Sequence, residues 1–420
     1  MDYFRLKKKM LMSITHKIKG FVRRATGTDS VKLEDCAGGD WLDLDISGNS
    51  LQDGTPTPEN PIEVQSVGEI VTDETDVNYG KYKIPVVQRG KNLWDRNSYL
   101  VSNAQTGALR IVFYQSDYDW IKAGETFTVS ATLFISENDT RINTRLSCET
   151  TNSNGKIYNQ KNGWFGNVKG EEVRVTLNYT IPEIEEGIHA ITIRLIDFSQ
   201  NPEKIFDGYV KDIQIELGDT ATDYEPYVEP VTTNIFLDEP LCKLGNYTDY
   251  IDFKENKVVR KCCKRYLKDY FWRDYITYTD DVGVHYDIFC QDNSIIPSIP
   301  NPANLYDKSI AKSNIFPIYA FSTQEKVHFG IVLWTWSANV RVQFPQEYCS
   351  DTNNVIASFK TWLNQYNPYM VRVLAEPTEE PLNIDLPQLP NQTTIVEIDT
   401  QLAPTGVEVE YYSNVKGEIE

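Results

Sequence analysis

The chain has 420 residues, enough for two or three domains that each bury a core of their own. Its formal net charge is −19, but residues 1–27 carry +7 and the rest of the chain carries −26. An acidic body argues against binding to DNA, RNA or anionic membranes through phosphate neutralisation. Neutral glycans are the partners that such a surface meets most easily.

Composition predicts an all-β protein. The chain holds 25 Tyr and 17 Phe, and short alternating runs rich in Tyr, Thr, Val and Ile are separated by Gly, Asn, Asp and Pro. The seven Cys are scattered without a CxxC motif and the four His are isolated, which predicts free thiols, no metal site and no cofactor. No segment resembles a signal peptide or a membrane span, so we expect assembly inside a bacterial cytoplasm.

The first predicted element is a basic amphipathic helix over residues 4–24, in which apolar side chains recur at a seven-residue spacing. These are Phe4, Leu11, Ile14, Ile18 and Phe21. The pattern favours an oligomerising or docking helix within a basic attachment arm, residues 1–27, whose removal should leave the β domains folded. A frayed solvated arm and a helix on a membrane surface are the alternatives.

A small β section is predicted next, over residues 28–90. Leu42, Leu44 and Ile46 alternate with aspartates and indicate a half-buried strand. In residues 48–68 three prolines fix an extended connector between two short strands. We expect this section to act as an adaptor between the arm and the domain that follows.

Residues 91–228 are predicted to form a jelly-roll-like β-sandwich. Its clearest strands cover residues 109–114, 126–134, 173–179, 190–197 and 210–217, while residues 137–169 are expected to form long loops with one strand between them. Aromatic side chains next to amides or carboxylates suit sugar binding, because pyranose rings present apolar faces. The candidate glycan-binding residues are Tyr114, Tyr118, Trp120, Asn162, Trp164 and Phe165. The alternative is that Trp120 and Trp164 anchor loops to the core.

Residues 229–420 are predicted to form a second, C-terminal β domain. Residues 354–364 are the convincing internal helix, and the prolines of residues 377–390 indicate an extended connector.

Several segments resemble tail-fibre and baseplate proteins of bacteriophages and prophages of Gram-positive hosts. Residues 48–68, GNSLQDGTPTPENPIEVQSVG, resemble a segment that recurs in those proteins. Residues 90–94, GKNLW, and residues 214–227, QIELGDTATDYEPY, are similar to the opening and the closing strand of their carbohydrate-binding-module-like β-sandwich. Residues 232–261, 359–382 and 406–414 are similar to the domain that follows it. The basic arm and residues 294–313 depart from the pattern.

This resemblance implies a virion structural protein of the tail fibre, baseplate or tail tip. It implies contact with other virion proteins and with a host-surface glycan, and a homotrimeric state. The chain contains no HExxH, GxSxG, GxxxxGK[ST] or GxGxxG motif, so we expect no enzymatic activity. Two alternatives stay open: a tail-associated glycan hydrolase, and a head-decorating fibre without a receptor role.

Overall fold

The structure is a computed structural model that describes residues 14–18, 22–23, 28–33, 41–95, 110–118, 120–138, 144–166, 169–194, 207–280, 283–290, 310–320, 329–334, 339–384, 386, 388–389, 392–402 and 407–413. Within these ranges the chain is mostly strand, as the sequence predicts, with one α-helix, α1 (Val355–Tyr366). No helix in these ranges has both the length and the apolar character needed to cross a bilayer.

The strands are, in chain order, β1 (Ile14–Ile18), β2 (Val22–Arg23), β3 (Thr28–Leu33), β4 (Trp41–Ser47), β5 (Ser50–Leu51), β6 (Gln65–Ser66), β7 (Glu69–Ile70), β8 (Tyr82–Gly90), β9 (Arg110–Tyr114), β10 (Thr126–Ile135), β11 (Thr144–Thr151), β12 (Ile157–Gly166), β13 (Glu172–Thr180), β14 (Ala190–Arg194), β15 (Gly208–Leu217), β16 (Val231–Leu237), β17 (Lys243–Leu244), β18 (Tyr247–Thr248), β19 (Tyr250–Asp252), β20 (Lys257–Tyr266), β21 (Trp272–Thr279), β22 (Val284–Cys290), β23 (Ala311–Ser313), β24 (Ile318–Ala320), β25 (Gly330–Trp334), β26 (Asn339–Pro345), β27 (Tyr369–Pro381), β28 (Thr394–Asp399) and β29 (Val407–Ser413).

Strands β9 to β15 form a sandwich of two antiparallel sheets, ordered β13-β10-β15 and β12-β11-β14-β9. The five strands predicted from the sequence are all present. Phe127, Val129, Ala131 and Leu133 are buried along one face of β10, as their alternation predicts. The expectation of one strand between long loops over residues 137–169 is wrong, because β11 and β12 pair along most of that interval. Pairing between strands outweighs the low strand propensity of their Asn and Gly residues.

The segment expected to be an adaptor does not form a separate unit. Strand β4 lies between β29 and β19 in a seven-stranded sheet, and β8 lies between β16 and β28 in a six-stranded sheet. Leu44 and Ile84 share one buried core with Ile251 and Val396. The early strands are therefore completed by the C-terminal domain, which local sequence patterns cannot reveal because these pairs are far apart in the chain.

The predicted N-terminal helix is wrong where the structure describes this region. Residues 14–18 form β1, which pairs antiparallel with β29 so that Ile14 lies opposite Ser413 and Ile18 opposite Val409. Residues 22–23 form β2, which pairs with β3. The seven-residue spacing of apolar side chains therefore did not produce a helix here. The segment forms a strand because its pairing partner comes from the far end of the chain. Phe4, Leu11 and Phe21 lie outside the described residues.

A third core lies between α1 and a five-stranded sheet ordered β21-β22-β26-β25-β24. The helix is confirmed close to its predicted bounds. It buries Phe359 and Trp362 against Phe344 of β26. It ends at Asn367, which adopts the left-handed conformation at φ 46° and donates its N–H to the Leu363 carbonyl at 2.9 Å.

Candidate functional site

The first aromatic cluster predicted for the sandwich divides between surface and core. Tyr114, at the end of β9, is 46% exposed and packs edge-on against His189. Tyr118 is half-buried against Phe113. Trp120 is only 6% exposed and lies in edge contact with aromatic rings of the sandwich core. A buried indole cannot stack on a sugar, so the assignment of Trp120 as a binding platform is wrong.

The second cluster lies on β12 and not in a loop, because β12 pairs with β11. Asn162 is exposed on this strand. The side chains of Trp164 and Phe165 lie outside the described part of the structure. Strands β12 and β9 occupy opposite edges of the four-stranded sheet, so the two predicted clusters are not brought together.

A different concave site is present outside the sandwich: a cleft with a volume of about 710 Å³. We call it the tyrosine cleft. Four tyrosines line it, with four side-chain amides and three charged groups. These lining residues are Tyr82, Tyr266, Tyr366, Tyr369, Gln65, Asn314, Asn367, Gln401, Glu63, Glu69 and Lys264. None of them was among the sequence-predicted site residues.

Distant segments build the tyrosine cleft. One wall is the chain that follows the proline connector, whose Ile62 N–H donates to the Asn314 carbonyl at 2.8 Å. The opposite wall comes from β20 and β27, where Tyr266 and Tyr369 are paired across the strands with ring centroids 6.0 Å apart. The end of α1 adds Tyr366 and Asn367.

Tyr369 joins these walls. Its hydroxyl accepts a hydrogen bond from the Val64 N–H at 2.9 Å and donates one to the Glu63 carboxylate. Its own N–H donates to Asn314 Oδ1 at 2.8 Å. Burial, followed by the hydrogen bond to Glu63, raises the pKa of the Tyr369 hydroxyl above its usual range. The hydroxyl therefore remains protonated and keeps the connector on β27.

Lys264 places a positive charge in the cleft wall. Its Nζ lies 4.0 Å from the ring centroid of Tyr369 and donates to the Tyr82 hydroxyl at 3.1 Å. Within the described ranges no carboxylate lies within ion-pair distance of it, whereas Glu69 is paired with Lys83 at 3.5 Å. The ammonium is thus held mainly by aromatic rings and one hydroxyl, and its further donors are available to a ligand.

Two tyrosines present ring surface to solvent at the cleft. Tyr266 is 36% exposed and Tyr366 is 37% exposed. One face of Tyr366 stacks on Trp362 with centroids 4.6 Å apart, which holds the ring at the end of α1. Exposed rings beside amides and a lysine offer stacking surfaces together with hydrogen-bond donors and acceptors. This combination suits a saccharide ring with its apolar faces and equatorial hydroxyls.

Only part of the tyrosine cleft could have been predicted from the sequence. Tyr366, Pro368 and Tyr369 indicate a helix end followed by a strand, but nothing local places them beside Glu63. The hydrogen bond between Tyr369 and Glu63 spans 306 residues of chain. A site assembled across such a separation depends on the sheet topology.

No metal site accompanies the cleft in the part of the chain that the structure describes. No group of three or more His, Cys, Asp or Glu is arranged there to hold a metal ion. Free thiols are present at Cys148, Cys242, Cys262, Cys263 and Cys349. Burial raises the pKa of the Cys242 thiol to about 12, which keeps it protonated and unreactive at neutral pH.

Comparisons with known proteins leave the family open. No family model matches the chain, and no curated protein matches it at a significant level. The solved structures to which it is similar include the VP2 subviral particle of infectious bursal disease virus, at 7% identity and a TM-score of 0.18, covering 94% of this chain and 81% of that one. The Gx strain of the same virus matches at 7% identity and a TM-score of 0.17, covering 95% and 82%. Similarity at these TM-scores carries no argument about fold or function.

Proposed function

We propose that this protein is a structural component of a bacteriophage virion, in the tail fibre, baseplate or tail tip, and that it contributes to recognition of a glycan on the host surface. The sequence segments that resemble phage tail proteins support the location in the virion. The observation that carries the recognition role is the tyrosine cleft, with two exposed rings next to amides and a lysine. The partners are other virion proteins and the host glycan.

The cleft replaces the sandwich as the favoured binding site within this proposal. Trp120 is buried, and Tyr114 and Asn162 stand at opposite edges of their sheet. The cleft instead gathers its aromatic and polar groups around one concavity, which suits contact with an apolar face and the hydroxyl groups of a sugar ring. The −19 charge of the chain favours neutral glycans over anionic polymers at long range.

Binding of the full chain to an immobilised panel of neutral bacterial surface polysaccharides tests this function. Tyr266→Ala and Tyr366→Ala should each weaken binding about tenfold, equivalent to about 1.4 kcal/mol. Tyr79→Ala is the matched control, because Tyr79 is 54% exposed on a turn and does not line the cleft. Tyr114→Ala tests the sandwich. If only Tyr114→Ala reduces binding, the sandwich is the site and the cleft is not.

The glycan hydrolase alternative retains one supporting observation, since Glu63 and Glu69 both line the cleft. We expect no turnover, because the Glu63 carboxylate is engaged by Tyr369 and Glu69 is paired with Lys83. Incubation of the protein with each polysaccharide that binds, followed by measurement of new reducing ends, separates the two functions. Release of reducing ends that is lost in Glu63→Gln would establish the hydrolase.

A further inference from the structure

One edge of the five-stranded sheet lacks a partner among the described strands. Strand β21 pairs with β22 on one side only and is the outermost strand of the order β21-β22-β26-β25-β24. Its outer edge presents backbone N–H and C=O groups that can pair with a further strand.

Both faces of β21 expose large side chains. Tyr275 lies opposite the core residue Ile288 and yet is 40% exposed, and on the other face Ile276 and Tyr278 are 47% and 43% exposed. Phe271, just before the strand, is 51% exposed. The strand therefore extends beyond the core that its sheet covers, and it carries an exposed tyrosine on each face, with Ile276 beside Tyr278 on one of them.

Features such as Pro, Lys and β-bulges usually prevent an edge strand from pairing with another chain, and they are absent from most of this strand. The sequence WRDYITYT contains no Pro and no Lys, and its register irregularity is confined to the start, between Trp272 and Asp274. Its two charges, on Arg273 and Asp274, cancel, although the chain as a whole carries −19. Two copies of an acidic protein repel each other over most of their surfaces, but they can approach at a neutral, apolar strand.

We propose that a second copy of this chain pairs with the first along β21, antiparallel and across a twofold axis. Such pairing joins the two five-stranded sheets into one and keeps equivalent faces on the same side. Tyr275 then contacts residues on the core-side face of the second copy. On the opposite face, Ile276 of one copy contacts Tyr278 of the other, and Tyr278 of the first contacts Ile276 of the second. The product is a dimer, whereas the sequence resemblance leads to the expectation of a trimer.

The contact is reversible in solution. One strand with its flanking side chains buries less surface than a standard stable interface, so dissociation in the micromolar range is expected. Anchoring of both copies to a particle raises their effective concentration and stabilises the pair. This inference does not depend on the proposed glycan recognition.

Sedimentation velocity of the full chain over a concentration series tests the proposal. The wild-type protein should shift from monomer to dimer as concentration rises. Ile276→Lys combined with Tyr278→Lys should stay monomeric, because the twofold axis brings the new charges together. Ile157→Lys is the matched control, since Ile157 is 52% exposed on β12, an edge strand of another sheet, and this variant should dimerise like the wild type.

A second measurement keeps the test independent of the lysine variants. Ile276→Cys should form a covalent dimer with a short bismaleimide, and Ile157→Cys treated in parallel should not. A wild-type protein that is monomeric at every concentration overturns the proposal. So does a dimer or trimer that persists in the double lysine variant with its melting temperature unchanged.

Discussion

Lys91 Nζ lies 3.0 Å from Glu225 Oε1, and this pair closes the sandwich at the point where its first and last segments meet. Lys91 belongs to GKNLW and Glu225 to QIELGDTATDYEPY, the two segments that resemble the ends of the phage sandwich. Glu225 also accepts hydrogen bonds from Thr393, from N at 3.0 Å and from Oγ1 at 2.8 Å. The pair therefore links the sandwich to the C-terminal sheets.

Lys91→Ala should destabilise the protein by about 2 kcal/mol, because it leaves a largely buried carboxylate without its charged partner. Lys257→Ala is the control, since Lys257 pairs with Glu379 at 2.8 Å but the Glu379 side chain is 60% exposed. That control should cost less than about 1 kcal/mol. Urea denaturation of both variants measures the difference, and equal losses would show that burial of the pair contributes nothing.

Trp120→Ala should lower the stability of the sandwich by about 3–5 kcal/mol, the range for removal of a large buried aromatic side chain. Tyr114→Ala should change stability little, because nearly half of Tyr114 is exposed at an edge strand. Thermal melting of both variants tests this. A Trp120→Ala protein that melts like the wild type would contradict the core position of this indole.

Tyr369→Phe keeps the ring beneath Lys264 but removes the hydroxyl that bridges the connector to β27. The buried Val64 N–H then loses its acceptor and Glu63 loses a donor, so we expect a loss of about 1–3 kcal/mol. Saccharide binding should fall as well, because the Glu63 wall of the cleft is no longer held. Tyr79→Phe serves as the control, and calorimetry of both proteins gives the comparison.

Removal of residues 1–27 should lower the melting temperature, contrary to the expectation from sequence that the β domains are independent of the arm. The deletion removes β1 and β2, which leaves β29 and β3 with unpaired edges. Removal of residues 1–13 is the matched control, because it retains both strands. Differential scanning calorimetry should show a lower transition only for the longer deletion; coinciding transitions would show that β1 and β2 add no stability.

Local patterns in the sequence predicted the elements whose period is visible within a few residues. Phe127 to Leu133 alternate and form a buried face of β10, and Phe359, Trp362 and Leu363 lie at helical spacing and pack α1 on its sheet. In the folded chain, Leu93, Trp94 and Ile215 lie in one buried core and Lys91 pairs with Glu225, so residues 90–94 and 214–227 are packed together.

Tertiary structure alone decided the features that depend on distant partners. Ile14 and Ile18 satisfy a helical spacing, yet they form a strand because β29, almost four hundred residues later, supplies its hydrogen bonds. Trp120 has the sequence context of a surface platform, but the rings of Phe113 and Phe127 enclose it. The tyrosine cleft exists only where Glu63 and Tyr369 meet. A sequence specifies local periodicity directly, whereas strand pairing and cleft formation depend on long-range contacts that only the folded chain brings together.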